Sequence, residues 1–271
     1  MKKVYSLYFS PTGGCRRIAN LLAAQLADSL SLPLEEIDIT LPEGRVECYR
    51  FSEDSLVVLA CPTYAGRVPN KLLPELEEKI LGSGRTPIVI ASVYGGRCNE
   101  DAMRELALLA DRNGFIPIAA VSCLSRHSMS DIMAAGRPDS RDLDELRTFA
   151  RKTAEKMRLA SPAPLEFDRE TPLAPYYRPR KEDGSPANFL KAKPLTNPEK
   201  CDRCGICAGV CPLGSISRED PSLVTGVCIK CHACVRSCPT HAKYFDNEEL
   251  LSHVRSLEKL CTTRLENQYL L

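Results

Sequence analysis

The sequence predicts an α/β protein: a doubly wound, five-stranded parallel sheet followed by a small α+β domain built around metal. Three observations carry this. Short apolar runs alternate with amphipathic helical stretches through residues 1–160, as in a parallel sheet covered by helices on both faces. Residues 161–200 then hold eight of the twenty prolines, so 161–195 reads as a semi-rigid, extended linker. Within 196–246 eight cysteines fall into two copies of one spacing. The last stretch, 247–271, reads as a terminal helix packed back on the protein.

The strands are predicted in order. Val4 to Phe9 is β-branched, aromatic and apolar, like a buried strand. Ser10-Pro-Thr-Gly-Gly-Cys15 follows, then a helix with Ile18, Leu22 and Leu26 on one face. Strand, hydroxyl- and glycine-rich turn, helix is an arrangement that binds phosphate. Free N–H groups at the helix start point at the anion, and Gly13 and Gly14 let the backbone close around it. A capped turn without a ligand is the alternative. The turn matches neither G-x4-G-K-[ST] nor G-x-G-x-x-G.

Leu34 to Ile39, Ser55 to Ala60, Pro87 to Ser92 and Ile116 to Val121 are the remaining strand predictions. Helices are predicted over about 70–81, 99–113 and 140–159, with Gly114 ending the second. Leu143, Leu146, Phe149, Thr153 and Met157 are expected inward on the last. Ligands on such sheets bind beyond the carboxyl ends of the strands. Three loops meet there: 10–15, 62–67 and 93–97. Tyr64 and Tyr94 sit among small residues in the last two, which suits a flat aromatic ligand with a phosphate tail.

The cysteine repeat is Cys201-x2-Cys204-x2-Cys207-x3-Cys211-Pro212, then Cys228-x2-Cys231-x2-Cys234-x3-Cys238-Pro239. Each iron–sulfur cubane takes four thiolates, and in this run the fourth cysteine ligates the other cluster. The expected sets are therefore Cys201, Cys204, Cys207 and Cys238 for one [4Fe–4S] cluster, and Cys228, Cys231, Cys234 and Cys211 for the second. Zinc sites use C-x2-C pairs separated by a long gap, and disulfide frameworks suit short secreted chains. Neither describes this spacing.

Net charge is +1, so neither nucleic acid nor an anionic membrane surface is an expected partner. No apolar run has the length of a bilayer span, and Met1-Lys-Lys-Val leads straight into a strand rather than a secretory leader. The expected location is cytoplasmic.

Ser10-x-Thr-Gly-Gly resembles the phosphate loop of flavodoxins. Together with Pro62-Thr-Tyr-Ala-Gly-Arg-Val-Pro69, Val93-Tyr-Gly-Gly-Arg97, Arg126-His-Ser128 and Ala134-Ala-Gly-Arg-Pro138, it resembles the flavodoxin–ferredoxin fusion family of anaerobes, which are iron–sulfur flavoproteins. The resemblance implies a flavodoxin-like sheet, a ferredoxin-like two-cluster domain and bound FMN. It implies phosphate contacts from Ser10, Thr12, Gly13, Gly14 and Cys15. The isoalloxazine would lie between Pro62, Thr63, Tyr64, Ala65 and Gly66 on one side and Ser92, Val93, Tyr94, Gly95, Gly96 and Arg97 on the other. Cys15 replaces the threonine usual in flavodoxin loops, and Arg126 stands where the family often has an acidic residue. The Ala65–Gly66 peptide is small enough to turn its carbonyl toward a flavin. Arg67 and Arg97 either face the flavin or solvate loop tips. His127 is either a proton donor or substrate contact, or a hydrogen-bonded structural residue. Cys15 and Cys98 are either reactive or incidental thiols.

The expected function is electron transfer between the clusters and FMN. A flavin-dependent reductase of a small molecule and a cluster-based redox sensor are the alternatives. The expected partner is a redox protein or a small-molecule acceptor, with a homodimer left open.

Overall fold

The computed structural model describes residues 1–271. Five parallel strands form its centre: β1 (Lys3–Tyr8), β2 (Leu34–Asp38), β3 (Ser55–Pro62), β4 (Thr86–Tyr94) and β5 (Phe115–Leu124). Their spatial order is β2-β1-β3-β4-β5, the flavodoxin-like doubly wound order, whose switch point lies between β1 and β3. Leu7 faces Ile37 on one side and Leu59 on the other, which fixes the register.

Helices cover both faces. α1 (Gly14–Leu30) and α4 (Ser140–Met157) bury Ile18, Leu22, Leu26, Leu146 and Phe149 on one face. α2 (Leu73–Lys79) and α3 (Ala102–Arg112) bury Leu76, Leu106 and Leu109 on the other. All nine residues of β4 are buried, which explains why its sequence is a continuous apolar run rather than an alternating one. Asp139 and Asp142 form a reciprocal capping box at the start of α4. Leu143, expected inward, is only half-buried. α2 is shorter than the expected 70–81 because Ile80–Leu81 leaves it to pair with Tyr49–Arg50.

In the cysteine-rich region, two one-turn helices, α5 (Ile206–Gly209) and α6 (Ala233–Arg236), follow the first pairs of cysteines in each run. Leu195–Thr196 pairs antiparallel with Lys243–Tyr244 to close this unit.

Two expectations are corrected. The sheet has a sixth strand, β6 (Gln268–Leu270), antiparallel to β5. The tail expected as helix through 271 is helix only in α7 (Glu248–Leu260). Helix α7 ends, and the chain crosses to the open edge of β5. There Tyr269 packs on the Phe149 ring at 5.4 Å, and Asn267 accepts the Leu124 N–H at 2.9 Å. Covering a strand edge removes unpaired backbone groups, but three residues are too few for a periodic signal.

The proline-rich segment lies along the first domain. Leu165 N–H donates to Pro117 O, Tyr176 OH to Val68 O, and Tyr177 N–H to Ala65 O, at 2.7–2.8 Å. Two arginines join the domains. Buried Arg45 donates to Ile39 O and Thr40 O in the sheet domain and to Pro212 O, just past Cys211, at 2.6–2.7 Å. Arg236, between Cys234 and Cys238, donates to the carbonyls of His127, Ser128 and Ser130 and pairs with Asp131.

Candidate functional site

A cavity opens at the carboxyl end of the sheet, where the three expected loops converge. Ser10, Thr12, Gly14, Cys15, Pro62, Thr63, Tyr64, Ala65, Gly66, Val93, Tyr94, Gly95 and Arg97 all line it. At the phosphate turn, Gly13 caps α1 in the left-handed region at φ +86°. Its own N–H turns back to Ser10 O, and Arg16 N–H donates to Ser10 Oγ. The N–H groups of Thr12, Gly14 and Cys15 find no acceptor in the chain. Three open donors at the start of a 17-residue helix fit a phosphate.

Three residues expected as contacts do not line the cavity. Gly13 shapes the turn without lining the cavity. Ser92 is fully buried beneath it, bonded to Thr63 and Asn99, and so supports Thr63 from below. Gly96 faces away, toward Ala134 and Leu124.

The Tyr64–Arg67 turn has Ala65 at φ +52° and Gly66 at φ +80°, with Tyr64 and Arg67 exchanging both backbone hydrogen bonds. This is a primed hairpin turn. The Ala65 carbonyl is not free to swing, because Tyr177 N–H donates to it. Arg67 does not face the cavity. Its guanidinium forms a fork with buried Glu105, at 2.8 and 2.5 Å, and lies over Tyr176. Arg97 does line the cavity, pairs with Glu100 at 2.7 Å and stacks on Tyr177 at 4.0 Å.

Burial pushes the Tyr64 hydroxyl well up, and the neighbouring thiols of Cys231, Cys15, Cys61 and Cys228 add to the rise. Tyr64 lines the same cavity as Ile229 and Lys230 of the second cysteine run. Tyr94 is pushed up to about 12, mainly by burial. Burial likewise raises the Cys15 thiol, which leaves it an inert wall rather than a nucleophile. Cys98 is exposed at the cavity rim.

His127 lines the cavity, and its Nδ1 accepts the Met129 N–H at 3.2 Å. The neutral ring then carries its proton on Nε2. Burial, with the neighbouring His253, Arg236 and Arg97, lowers its pKa to about 4. His127 is thus a neutral hydrogen-bond donor at pH 7, not an imidazolium acid. A depressed histidine pKa contributes stability that is full above about 6.5 and is lost as pH falls toward the folded value. His127→Asn, which keeps an acceptor for Met129, is expected to remove about 3 kcal/mol of acid destabilisation between pH 7 and 4. Urea unfolding at both pH values checks this; equal pH dependence in both proteins contradicts it.

Several further cavity residues come from outside the three loops. Tyr177, Pro179 and Phe189 of the linker and His253 and Leu257 of α7 form the far wall. His253 donates from Nδ1 to Arg180 O at 2.9 Å and stacks on Phe189. Ile229 and Lys230, from the loop between Cys228 and Cys231, complete the enclosure.

The cysteines gather around two smaller cavities. Cys201, Cys204, Cys207 and Cys238 line one; Cys211, Cys228, Cys231 and Cys234 line the other. Each cavity thus draws three cysteines from one run and one from the other. Backbone N–H groups donate to sulfur at Cys211, Cys228 and Cys238, from Ser215, Lys230 and Ala242 at 3.2–3.4 Å. No three His, Cys, Asp or Glu side chains close on a single point as around a lone ion, whereas a cubane holds its thiolates around a larger body. The two cysteine sets differ in exposure. Burial pushes the Cys231 and Cys234 thiols up to about 12. At Cys238 burial also raises the thiol, but hydrogen bonds from Thr240 and the Lys243 and Ala242 backbone outweigh it, and the net shift is downward. Cys204 is exposed.

The family described as "4Fe-4S binding domain" matches residues 194–217 and 221–244. No curated protein matches the chain. Among solved structures, a flavodoxin from the domain Archaea is 14% identical, over 59% of this chain and 100% of that one, with a TM-score of 0.42. Flavodoxin 2 from Bacillus cereus is 17% identical, over 58% of this chain and 99% of its own, with a TM-score of 0.41. Strand order and cysteine repeat define the class: a flavodoxin-like α/β fold joined to a small 4Fe–4S ferredoxin-type unit. The arrangement is consistent with a flavodoxin–ferredoxin fusion. No helix is long and apolar enough to cross a membrane.

Proposed function

We propose that this chain is an iron–sulfur flavoprotein that transfers electrons between two [4Fe–4S] clusters and a bound FMN. The observation that carries the reading is the shared wall. Ile229 and Lys230, inside the second cysteine run, line the same cavity as the phosphate turn. FMN would be held by Ser10 and Thr12 and the open N–H groups of Thr12, Gly14 and Cys15, with its ring between the loops of Tyr64 and Tyr94. Cys201, Cys204, Cys207 and Cys238 would hold the outer cluster. Cys211, Cys228, Cys231 and Cys234 would hold the inner one, beside the flavin. Clusters pass one electron each and a flavin takes one or two, so the pair joins one-electron supply to two-electron chemistry.

The chain's own residues fix this geometry. Arg45 and Arg236 dock the cysteine-rich unit on the sheet domain, and residues of the linker and α7 line the cavity. An external redox protein would meet the exposed Cys204 end. Stepwise anaerobic reduction, followed by absorbance for flavin and electron paramagnetic resonance for clusters, tests the reading. Electrons are expected to equilibrate between both kinds of centre. A flavin that stays oxidised beside fully reduced clusters contradicts it.

Gly13→Val tests the FMN site separately. The added Cβ meets open space, but φ +86° is a region valine avoids. The turn must rearrange, and flavin content per chain is expected to fall at least roughly tenfold, a loss of ~1.4 kcal/mol in binding. Iron content is expected to stay at the wild-type value. Unchanged flavin content contradicts the assignment.

A further inference from the structure

The two cysteine runs are copies of one unit, so each position in one has a sister in the other. Five residues beyond the last cysteine of each run stand Ile216 and Lys243. Ile216 is an apolar wall of the inner cavity. Lys243 takes the sister position in the outer cavity, among Cys201, Cys204, Cys207 and Cys238.

Lys243 is 3% exposed. Its ammonium donates to Pro221 O at 2.5 Å and forms no ion pair. Asp220 is half-buried, and its carboxylate is taken by Ser222 rather than by the ammonium. Burying an ammonium without a counter-charge is strongly disfavoured. The sister position shows that the fold accepts an isoleucine here.

We propose that the Lys243 ammonium is the built-in counter-charge of the outer cluster and holds that cluster's reduction potential above the value an apolar wall would give. The proposal rests on the two-cluster reading above. Four thiolates leave an oxidised cubane with net charge of about −2, and one added electron takes it to about −3. No bond breaks; the fixed cation favours the more negative state. Lys243 is then a positioning charge: it makes the exposed cluster the easier one to reduce, where an external donor first delivers its electron. The inner cluster, walled by Ile216, lacks this help.

The test is potentiometric titration of the anaerobic holoprotein, followed by electron paramagnetic resonance, with iron and sulfide measured on every sample. Lys243→Ile installs the sister residue, and Lys243→Gln keeps a donor for Pro221 should the first variant assemble poorly. Both are expected to weaken electron affinity of the outer cluster at least roughly tenfold, ~59 mV for one electron, with a smaller shift at the inner cluster. Lys243→Arg is expected to stay within about threefold of wild type, ~28 mV. Full cluster content with unmoved potentials in the neutral variants overturns the role of Lys243. So does an arginine variant that falls as far as they do. Wild-type protein without two clusters overturns the two-cluster reading instead.

Discussion

Cys211→Ala is expected to destroy the cluster held by Cys228, Cys231 and Cys234 and to spare the one formed by its own sequence neighbours. The reason lies in the cavities. Cys211 lines the space shared with the second run, and Cys238 lines the space shared with the first. The turn that follows explains the crossing. Ser215 N–H bonds back to Cys211 Sγ, and Ser215 Oγ donates to Val227 O, so Cys211 is tied to the segment that enters the second run. Iron is expected to fall from about eight to about four per chain, with one paramagnetic cluster remaining on reduction. Cys238→Ala is expected to give the complementary loss. Signals showing that Cys211→Ala removes the cluster of Cys201, Cys204 and Cys207 would refute the crossing.

Arg45→Met is expected to cost about 3 kcal/mol in stability. Arg45 is buried, and three carbonyls, those of Ile39, Thr40 and Pro212, accept its N–H groups. Methionine fills much of the volume but leaves all three acceptors unsatisfied, at about 1 kcal/mol or more each. The Pro212 contact also fixes the cysteine-rich unit against the sheet domain. Reduction of the flavin by an external donor protein is therefore expected to slow as docking loosens. Denaturant unfolding and donor-driven flavin bleaching measure the two effects. A stability change under about 0.5 kcal/mol, with bleaching at the wild-type rate, would show that Arg45 is not a latch.

The parallel sheet and the cysteine sets were legible because each rests on a local pattern. Buried parallel strands read as apolar runs, and β3 and β4 are the clearest. The cysteine spacing carries the expectation of crossed ligation, and each cavity is lined by one of the expected sets. The turn from Ser10 to Cys15 was legible as a strand–helix junction, because strand, glycines and helix follow one another without a gap. What the sequence hid is non-local. Arg45, Arg236 and His253 act through backbone carbonyls distant in the chain, and a carbonyl leaves no trace in residue identity. Strand β6 pairs through three residues after an irregular stretch. Arg67 was open between facing the ligand and solvating a loop tip, and does neither, because Glu105, one turn into α3, captures it. Ser92 was placed by its strand-end position, and the alternation of the strand turned it beneath the cavity floor toward Asn99.

The central claim is that one chain carries two cubanes and one FMN. Iron, acid-labile sulfide and extracted flavin, measured on the same anaerobically purified sample, test it most directly. The expected result is about eight iron, about eight sulfide and about one FMN per chain. Half that iron and sulfide, zinc in their place, or a flavin other than FMN would contradict it.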